Sequence, residues 1–484
     1  MPVRVAAVDL GATSGRVMVA EVSPECLDVR EVHRFATPLS DAEGLRWDFA
    51  ALWEQVAYGL SKAARTGRID AVGVDSWGVD YGLVGAGGEL LGDPFCYRDD
   101  RTVGAPEEVW GVVASDGLYR ATGVQHQRFN TVFQLWADRR AGRLSAAGSV
   151  LLIPDLIAYK LTGRRVAEAT NASTTGLFDP TRRVWSSGLI GALGFPAGLF
   201  PDVVEPGAVL GALTPEARAA TGLGADCVVV AVGSHDTASA VAAAPAASPG
   251  FAYISSGTWS LVGVELGVPV ITEAGRAANF ANELGVFGTV RYLRNVMGLW
   301  LLTECQKHWA AQGRPAGLGG LLAAAAALEP ARALIDPDSD EFLAPGNMPA
   351  RIAAAAARGG VEPPGSPPQV ARVIVDSLAG AYARAVREAS ALAGRGVEAI
   401  HVVGGGSLNR LLCQATADTT GLPVLAGPVE ASAIGNALIQ ACALGALPAN
   451  LPTLRRLVAA TMPTTAYQPS TPRPDHPGTG RGRL

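Results

Sequence analysis

One unit occurs twice in this chain and restricts its fold more than any other feature: a β-branched strand, a glycine turn and a second strand. Residues 5–22 read VAAVDLGATSGRVMVAEV and residues 250–266 read GFAYISSGTWSLVGVEL, so Gly11 and Ser14 of the first match Gly257 and Ser260 of the second. Self-similarity of this kind predicts a duplicated, hairpin-led domain. The copies are chemically unequal, because Ser255 takes the position of Asp9 and only the first copy supplies an acid.

Around these hairpins, short β-branched runs bounded by Gly, Ser or Asp alternate with Ala/Leu-rich runs of helical spacing. Strands are expected at 5–8, 17–22, 71–75, 228–232, 253–255, 261–264 and 399–403, and helices at 49–64, 131–144, 371–392 and 431–444. The mixture means α/β. With 484 residues, 49% hydrophobic and 17% charged, the chain can bury a large core, and roughly 100 to 200 residues per domain gives two or three domains. The small-residue, uncharged stretch AAAPAASPG at 242–250 serves as the junction. Domains are therefore expected at 1–243 and 250–462, with a disordered Pro-, Gly- and Arg-rich tail at 467–484.

Several function classes fall away early. A net charge of -5 leaves no excess of cations for a phosphate backbone, so no nucleic-acid partner is expected. Six cysteines without C-x-x-C spacing favour neither a disulfide scaffold nor a zinc site, and they suit a reducing compartment. The chain opens directly on a strand, with no apolar signal region, and no apolar run approaches the roughly 18 residues that span a bilayer. A cytoplasmic protein with no membrane partner is expected. Only Lys62, Lys160 and Lys307 are lysines and none follows a glycine, so the chain lacks a lysine-based phosphate loop.

Five clusters could carry chemistry. At Asp9–Leu10–Gly11–Ala12–Thr13–Ser14–Gly15–Arg16 a tight turn aims backbone N–H groups and two hydroxyls into one concavity, which holds an anion without lysine. Asp9, at the strand end, is placed to face a magnesium ion through water; an ordinary acidic hairpin turn is the plainer reading. Gly233–Ser234–His235–Asp236–Thr237 follows a buried strand and opens a helix, where Ser234 or Asp236 could equally act as a cap. Gly404–Gly405–Gly406 ends a strand and offers bare backbone to a flat ligand, and Ser255–Ser256–Gly257–Thr258 offers an opposing hydroxyl-rich turn. The segments 75–81, 97–101 and 129–131 set aromatics beside carboxylates, an amide and Gly78, the mixture a polyol needs.

Together the strings at 9–16, 75–80, 97–101, 233–240, 255–260 and 403–406 resemble the FGGY carbohydrate kinases, over nearly all of the chain from about 5 to about 444. The Gly-Thr-Trp-Ser and His-Asp-Thr-Ala-Ser-Ala strings, with Asn295–Trp300, are similar to the branch that acts on L-rhamnulose. The resemblance implies two actin-like, ribonuclease-H-like domains with ATP and sugar in the cleft between them. It further implies that Ala12, Thr13, Ser14, Gly15 and Arg16 hold ATP phosphates, that Asp9 lies near Mg2+, and that Thr258, Asn295 and Gly405 touch the nucleotide. Gly78, His235, Asp236 and Thr237 would line the sugar site, with Asp236 as proton acceptor. One position departs from the family pattern: a nucleotide-contacting glutamine expected at 303 is Thr303, with Gln306 one turn on.

The expected reaction is ATP-dependent phosphorylation of L-rhamnulose at its 1-hydroxyl. A kinase for another ketose or polyol (L-fuculose, L-ribulose, D-xylulose) and an actin-like ATPase are the alternatives. The ATPase would share the phosphate turns but needs neither Asp236 nor a polyol surface. Monomer and dimer are not separated by composition.

Overall fold

Each repeated hairpin lies inside its own sheet, in a computed structural model that describes residues 2–41, 43–360 and 362–470. The first sheet comprises β1 (Val3–Leu10), β2 (Ser14–Ser23), β3 (Cys26–Ala36), β4 (Ala71–Ser76), β5 (Val209–Ala212) and β6 (Val228–Val230), in the order β5-β6-β4-β1-β2-β3. The second comprises β7 (Phe251–Ser256), β8 (Trp259–Leu266), β9 (Ala281–Leu284), β10 (Val290–Met297), β11 (Ala399–Val403), β12 (Val424–Ala426) and β13 (Thr465–Tyr467), in the order β9-β10-β8-β7-β11-β12-β13.

The run β3-β2-β1-β4-β6 and the run β10-β8-β7-β11-β12 share one plan. In each, the first strand has two antiparallel neighbours in succession on one side and two parallel ones on the other. Asp9 lies opposite Arg16 and Ser255 opposite Leu261, each one pair before the last of its hairpin. The duplication read from residues 5–22 and 250–266 is thus a repeated topology, the actin-like, ribonuclease-H-like arrangement.

Helix α1 (Phe49–Arg65) starts where the Asp48 carboxylate accepts from Ala51 N–H (2.9 Å), and buries Leu52, Val56, Leu60 and Ala63 in the first-lobe core. Helix α2 (Asp236–Ala242) ends the first lobe, and residues 243–250 lead to β7. Helix α3 (Pro367–Ala393) buries Ile374, Leu378, Tyr382 and Val386 against the second sheet and stops at Gly394, whose φ of 60° suits a residue without Cβ. Helix α4 (Ala431–Ala443) crosses α2 so closely that a Cβ on Gly435 would lie 1.8 Å from the Ser239 carbonyl oxygen.

That crossing joins the lobes. α4 also lies on the first sheet, where Asn436 Nδ2 donates to Asp75 Oδ2 (2.6 Å) and Gln440 Nε2 donates to the Ala6 carbonyl (3.1 Å). A separate apolar cluster at this level takes Val5 and Val230 from one sheet, Tyr253 and Leu293 from the other, and Val241, Ile434 and Leu438 from the helices.

Three sequence expectations need correction. The helix expected to reach residue 144 stops at Arg140, because Gly142 takes φ 71° and turns the chain. The strand expected to 232 ends at Val230; Ala231 still bonds Ala208 and Gly207 through its backbone, and the chain then enters the loop that carries Asp236. The tail expected from 467 starts too early: Tyr467 pairs with Val424 in β13, Ser470 N–H donates to Asp418 Oδ1 (2.7 Å), and residues 471–484 lie outside the described residues. Among the described residues, no helix is long and apolar enough to cross a membrane, and all six cysteines are unpaired thiols.

Candidate active site

A cleft of about 390 Å³ runs between the lobes. From the first lobe it takes Asp9, Ala12, Thr13, Ser14, Arg16, Gly78, His235, Asp236 and Thr237; from the second, Thr258, Asn295 and Gly405. Gly15 is the one expected contact residue outside its lining. A Cβ there would strike Phe35 at 2.4 Å, so Gly15 serves the close packing of β2 on β3.

The loop bearing Asp236 is held from below by Glu168. This buried carboxylate accepts from Ser234 N–H (3.0 Å) and Oγ (2.7 Å) and from Thr170 N–H (3.0 Å) and Oγ1 (2.6 Å), while Thr170 Oγ1 accepts from His235 N–H (3.2 Å). His235 is the N-cap residue of α2 and makes no side-chain cap bond. Neither Ser234 nor Asp236 caps the helix, so the capping alternative is removed. Asp236, the first helical residue, keeps its side chain 30% exposed on the cleft and accepts one bond from Thr237 Oγ1 (3.1 Å). Burial raises its carboxyl above the ordinary carboxylate range; His235 pulls it down and Asp9 pushes it up.

The β1–β2 turn closes with Gly11 N–H donating to the Ser14 carbonyl (3.0 Å), and Thr37 Oγ1 donates to the Gly11 carbonyl (2.6 Å). Arg16 does not stand free. Its Nε and Nη2 both donate to Asp9 Oδ2 (3.0 and 2.8 Å), and its Nη1 lies 2.5 Å from Glu430 of the second lobe. Arg34, opposite Arg16 in the β2–β3 register, also lines the cleft and lies 3.3 Å from Glu430. Arg16 is thus shared between Asp9 and Glu430, and Arg34 between Glu31 and Glu430.

A magnesium ion suits this donor set only in one form. Both Arg16 bonds fall on Asp9 Oδ2, leaving Oδ1 for a cation, and no group of three metal-ligating side chains exists among the described residues. Such a site fits a cation that keeps its waters and arrives with nucleotide phosphates.

One wall of the cleft is aromatic. Trp77, Tyr97 and Phe129 line the cleft with Trp259 from the second lobe, whose Nε1 donates to Tyr97 Oη (3.2 Å). Asp80 fixes this wall from behind: its Oδ2 accepts from Trp47 Nε1 (2.7 Å), Trp77 Nε1 (3.1 Å) and Tyr97 N–H (3.0 Å), and its Oδ1 from Gln134 Nε2 (2.8 Å). Burial pushes its carboxyl up to about 6 despite these four donors.

Other placements refine the sequence reading. Asn295 lines the cleft, and its N–H and Nδ2 both donate to Gln125 Oε1 of the first lobe (2.7 and 2.9 Å). Gly405 begins a short 3-10 turn, Gly405–Leu408, and the helix follows only at Arg410. Thr303 Oγ1 donates to the Leu299 carbonyl (3.0 Å) and Gln306 Nε2 to the Ala316 carbonyl (2.9 Å), and neither residue lines the cleft. Gln125, Thr174, Glu283 and Arg34 line it without having been singled out from the sequence. Gln125 follows Gly123, whose φ of 62° ends a helix, which is a turn signal and no more.

Two family models cover the chain, the N-terminal domain of the FGGY family of carbohydrate kinases at residues 5–243 and its C-terminal domain at residues 252–444. A rhamnulokinase of Bacteroides thetaiotaomicron is 43% identical over 467 residues, covering 96% of this chain and 95% of its own. A rhamnulokinase of Enterococcus faecalis is 42% identical over 468 residues, covering 96% and 93%. In fold, the chain is similar to a gluconate kinase from Lactobacillus acidophilus (TM-score 0.79, 16% identity, 97% and 94% covered). It is also similar to Plasmodium falciparum glycerol kinase with ADP (TM-score 0.75, 13% identity, 96% and 94% covered).

Proposed function

The chain belongs to the FGGY family of carbohydrate kinases, and from that premise we propose that its cleft transfers the terminal phosphoryl group of ATP to the 1-hydroxyl of L-rhamnulose, with Asp236 accepting the hydroxyl proton. The observation that carries this reading is the position of Asp236. Its carboxylate meets the same cleft as the phosphate turn Ala12–Arg16 and the aromatic wall of Trp77 and Tyr97.

In this reaction the sugar oxygen forms a bond to the γ-phosphorus, the bond from that phosphorus to the β,γ-bridging oxygen breaks, and ADP leaves. The work left to the protein is alignment and charge stabilisation. Asp236 orients the hydroxyl and, made more basic by burial, takes its proton as the new bond forms. The apolar faces of Trp77, Tyr97 and Phe129 suit the C–H side of a ketose, and Gly78 leaves room beside Thr174, only 3.1 Å from where a Cβ would stand. Thr13, Ser14 and Arg16 receive the phosphates, with Arg34 as an added cation at the same mouth. Thr258, Asn295 and Gly405 meet the nucleotide from the second lobe. A magnesium ion held at Asp9 would supply positive charge to the phosphates; among the protein's own groups, Arg16 already supplies part of that charge beside Asp9.

Relatives named rhamnulokinase at 40–43% identity direct the choice of sugar. The test is an assay of purified protein with ATP and magnesium against L-rhamnulose, L-fuculose, L-ribulose, D-xylulose and glycerol. The highest kcat/KM is expected for L-rhamnulose, and a clear preference for another sugar would overturn the substrate assignment.

A further inference from the structure

β10 outruns its edge partner. β9 pairs with it only from Leu284 opposite Val290 to Ala281 opposite Leu293, whereas β8 accompanies it as far as Met297. Past Leu293 no strand covers the outer edge of β10, and its backbone groups there need partners from elsewhere.

The first lobe supplies them. The helix Ser115–Thr122 ends at Gly123, and the segment that follows docks along this edge of the second sheet. The Gly123 carbonyl accepts from Asn282 N–H (2.8 Å) and Nδ2 (3.2 Å), and His126 N–H donates to Asn279 Oδ1 (2.8 Å). Between these anchors stands Gln125, buried, its own carbonyl accepting from Asn130 Nδ2 (2.8 Å). Its side-chain amide meets Asn295 as the backbone of a neighbouring strand would: Oε1 accepts from Asn295 N–H (2.7 Å) and Nε2 donates to the Asn295 carbonyl (3.3 Å). An ionised carboxylate in this place could accept but not donate.

Two backbone groups of fixed polarity therefore settle which end of the Gln125 amide is oxygen, and Gln125 in turn settles Asn295. The Asn295 side chain meets the same Oε1 at 2.9 Å, so the atom it offers there must be the donor, Nδ2. Asn295 Oδ1 accepts no hydrogen bond among the described residues and is not buried, which leaves it open to the cleft that Asn295 lines.

We propose that Gln125 is a positioning residue of the nucleotide site: reaching across from the first lobe, it completes the edge of β10 and turns the Asn295 amide so that its oxygen, not its nitrogen, faces the nucleotide. This role rests on the kinase reading of the cleft. The polarity limits what Asn295 receives. Phosphate oxygens only accept, so the group that meets Oδ1 is a donor, either a ribose hydroxyl or the adenine amino group. Gln125 acts on that contact through Asn295.

Calorimetric binding to the full chain, with magnesium and without sugar, tests it. The probes are ATP, 2′-deoxy-ATP, 3′-deoxy-ATP and purine riboside triphosphate, which lacks the amino group. Wild type should bind one of the three analogues about 3- to 10-fold more weakly than ATP, the size of one neutral hydrogen bond, and Asn295→Ala should erase that difference. Gln125→Met removes the acceptor that holds Nδ2. It should weaken ATP towards the value of that analogue while leaving the analogue itself unchanged, and in an Asn295→Ala background it should add less than about twofold, since a residue acting through another has no independent effect. A purely structural defect would weaken both ligands alike. Equal binding of all four nucleotides by wild type, a difference that persists in Asn295→Ala, or equal weakening of ATP and the analogue in Gln125→Met would each overturn the proposal. Should Gln125→Met fail to fold, Gln125→Asn keeps an amide that stops one methylene short of Asn295, and the same comparison decides. A wild type that binds no ATP defeats the kinase reading itself, whereas one that binds ATP without the expected pattern defeats the role of Gln125 alone.

Discussion

Asn436 Nδ2 donates to Asp75 Oδ2 across 2.6 Å, so a helix of one lobe is bonded to a strand of the other through an acid that lies directly beside Asp9 in the sheet. Burial, reinforced by the charge of Asp9, holds the Asp75 carboxyl well above the ordinary range, so it keeps its proton more readily in the fold than in the unfolded chain. The unfolded chain releases that proton near its ordinary value of 3.8, so the associated stability is present below about pH 4 and is lost as pH climbs towards the raised folded value. Asp75→Asn has no such proton. Its Tm relative to wild type should therefore rise as pH climbs above the ordinary carboxylate range; a constant difference across a pH series from the ordinary range upward would mean that Asp75 is ionised in the fold.

Asp236→Asn should keep ATP and sugar binding while turnover falls roughly 10²- to 10⁴-fold, the usual range for losing a general base. The base works ionised. Because burial raises its carboxyl, the acid limb of the wild-type kcat profile should lie above the ordinary carboxylate range. Equilibrium binding of sugar and steady-state kinetics separate the two effects, and near-normal turnover would remove Asp236 from the reaction.

Asp80 gives a spectroscopic handle on the aromatic wall of the cleft. Two indole N–H groups share its Oδ2, and the Trp47 and Trp77 rings stand 4.3 Å apart. With its carboxyl pushed up to about 6, tryptophan emission should titrate with a midpoint near that pH, and Asp80→Asn should abolish the transition. The variant should raise the KM for sugar about tenfold with a smaller change in kcat, the size expected from one or two lost hydrogen bonds to a charged group. A pH-independent emission spectrum in the wild type would refute the assignment.

The parts of the molecule that were legible from sequence are those whose determinants are local. Gly11 between two β-branched strands specifies a hairpin, and the same pattern at Gly257 marks the repeat in the sequence itself. The loop at 233–237 was legible because a buried strand, a glycine and a polar run follow one another. Glu283 and Arg34 gave no such sign. Each sits on a strand beside ordinary neighbours, and each reaches the cleft through a lobe-to-lobe placement, Glu283 against His235 and Arg34 against Glu430. Glu168 was silent for the same reason, since its link to Ser234 spans 66 residues. By sequence Gly15 groups with its neighbours in the β1–β2 turn, whereas the space around it answers to the ring of Phe35.

Two glycines separate what holds the lobes together from what holds the nucleotide. At Gly435 an added methyl would meet backbone, the Ser239 carbonyl oxygen at 1.8 Å, and backbone at a helix crossing cannot give way without parting α2 from α4. Gly435→Ala should therefore cost about 3 kcal/mol or more in stability, at or beyond the upper end of ordinary overpacking, read as a lower Tm with little change in the KM values of the protein that remains folded. At Gly405 an added methyl would meet no atom within 4 Å and the backbone is not in the left-handed region, so Gly405→Ala should leave Tm unchanged. If ATP lies on that bare backbone, the methyl occupies its space, and the KM for ATP should rise roughly tenfold or more while the KM for sugar stays fixed. Unchanged nucleotide affinity in Gly405→Ala would move the nucleotide away from the β11 turn, and a normal Tm in Gly435→Ala would show that the crossing can open without loss.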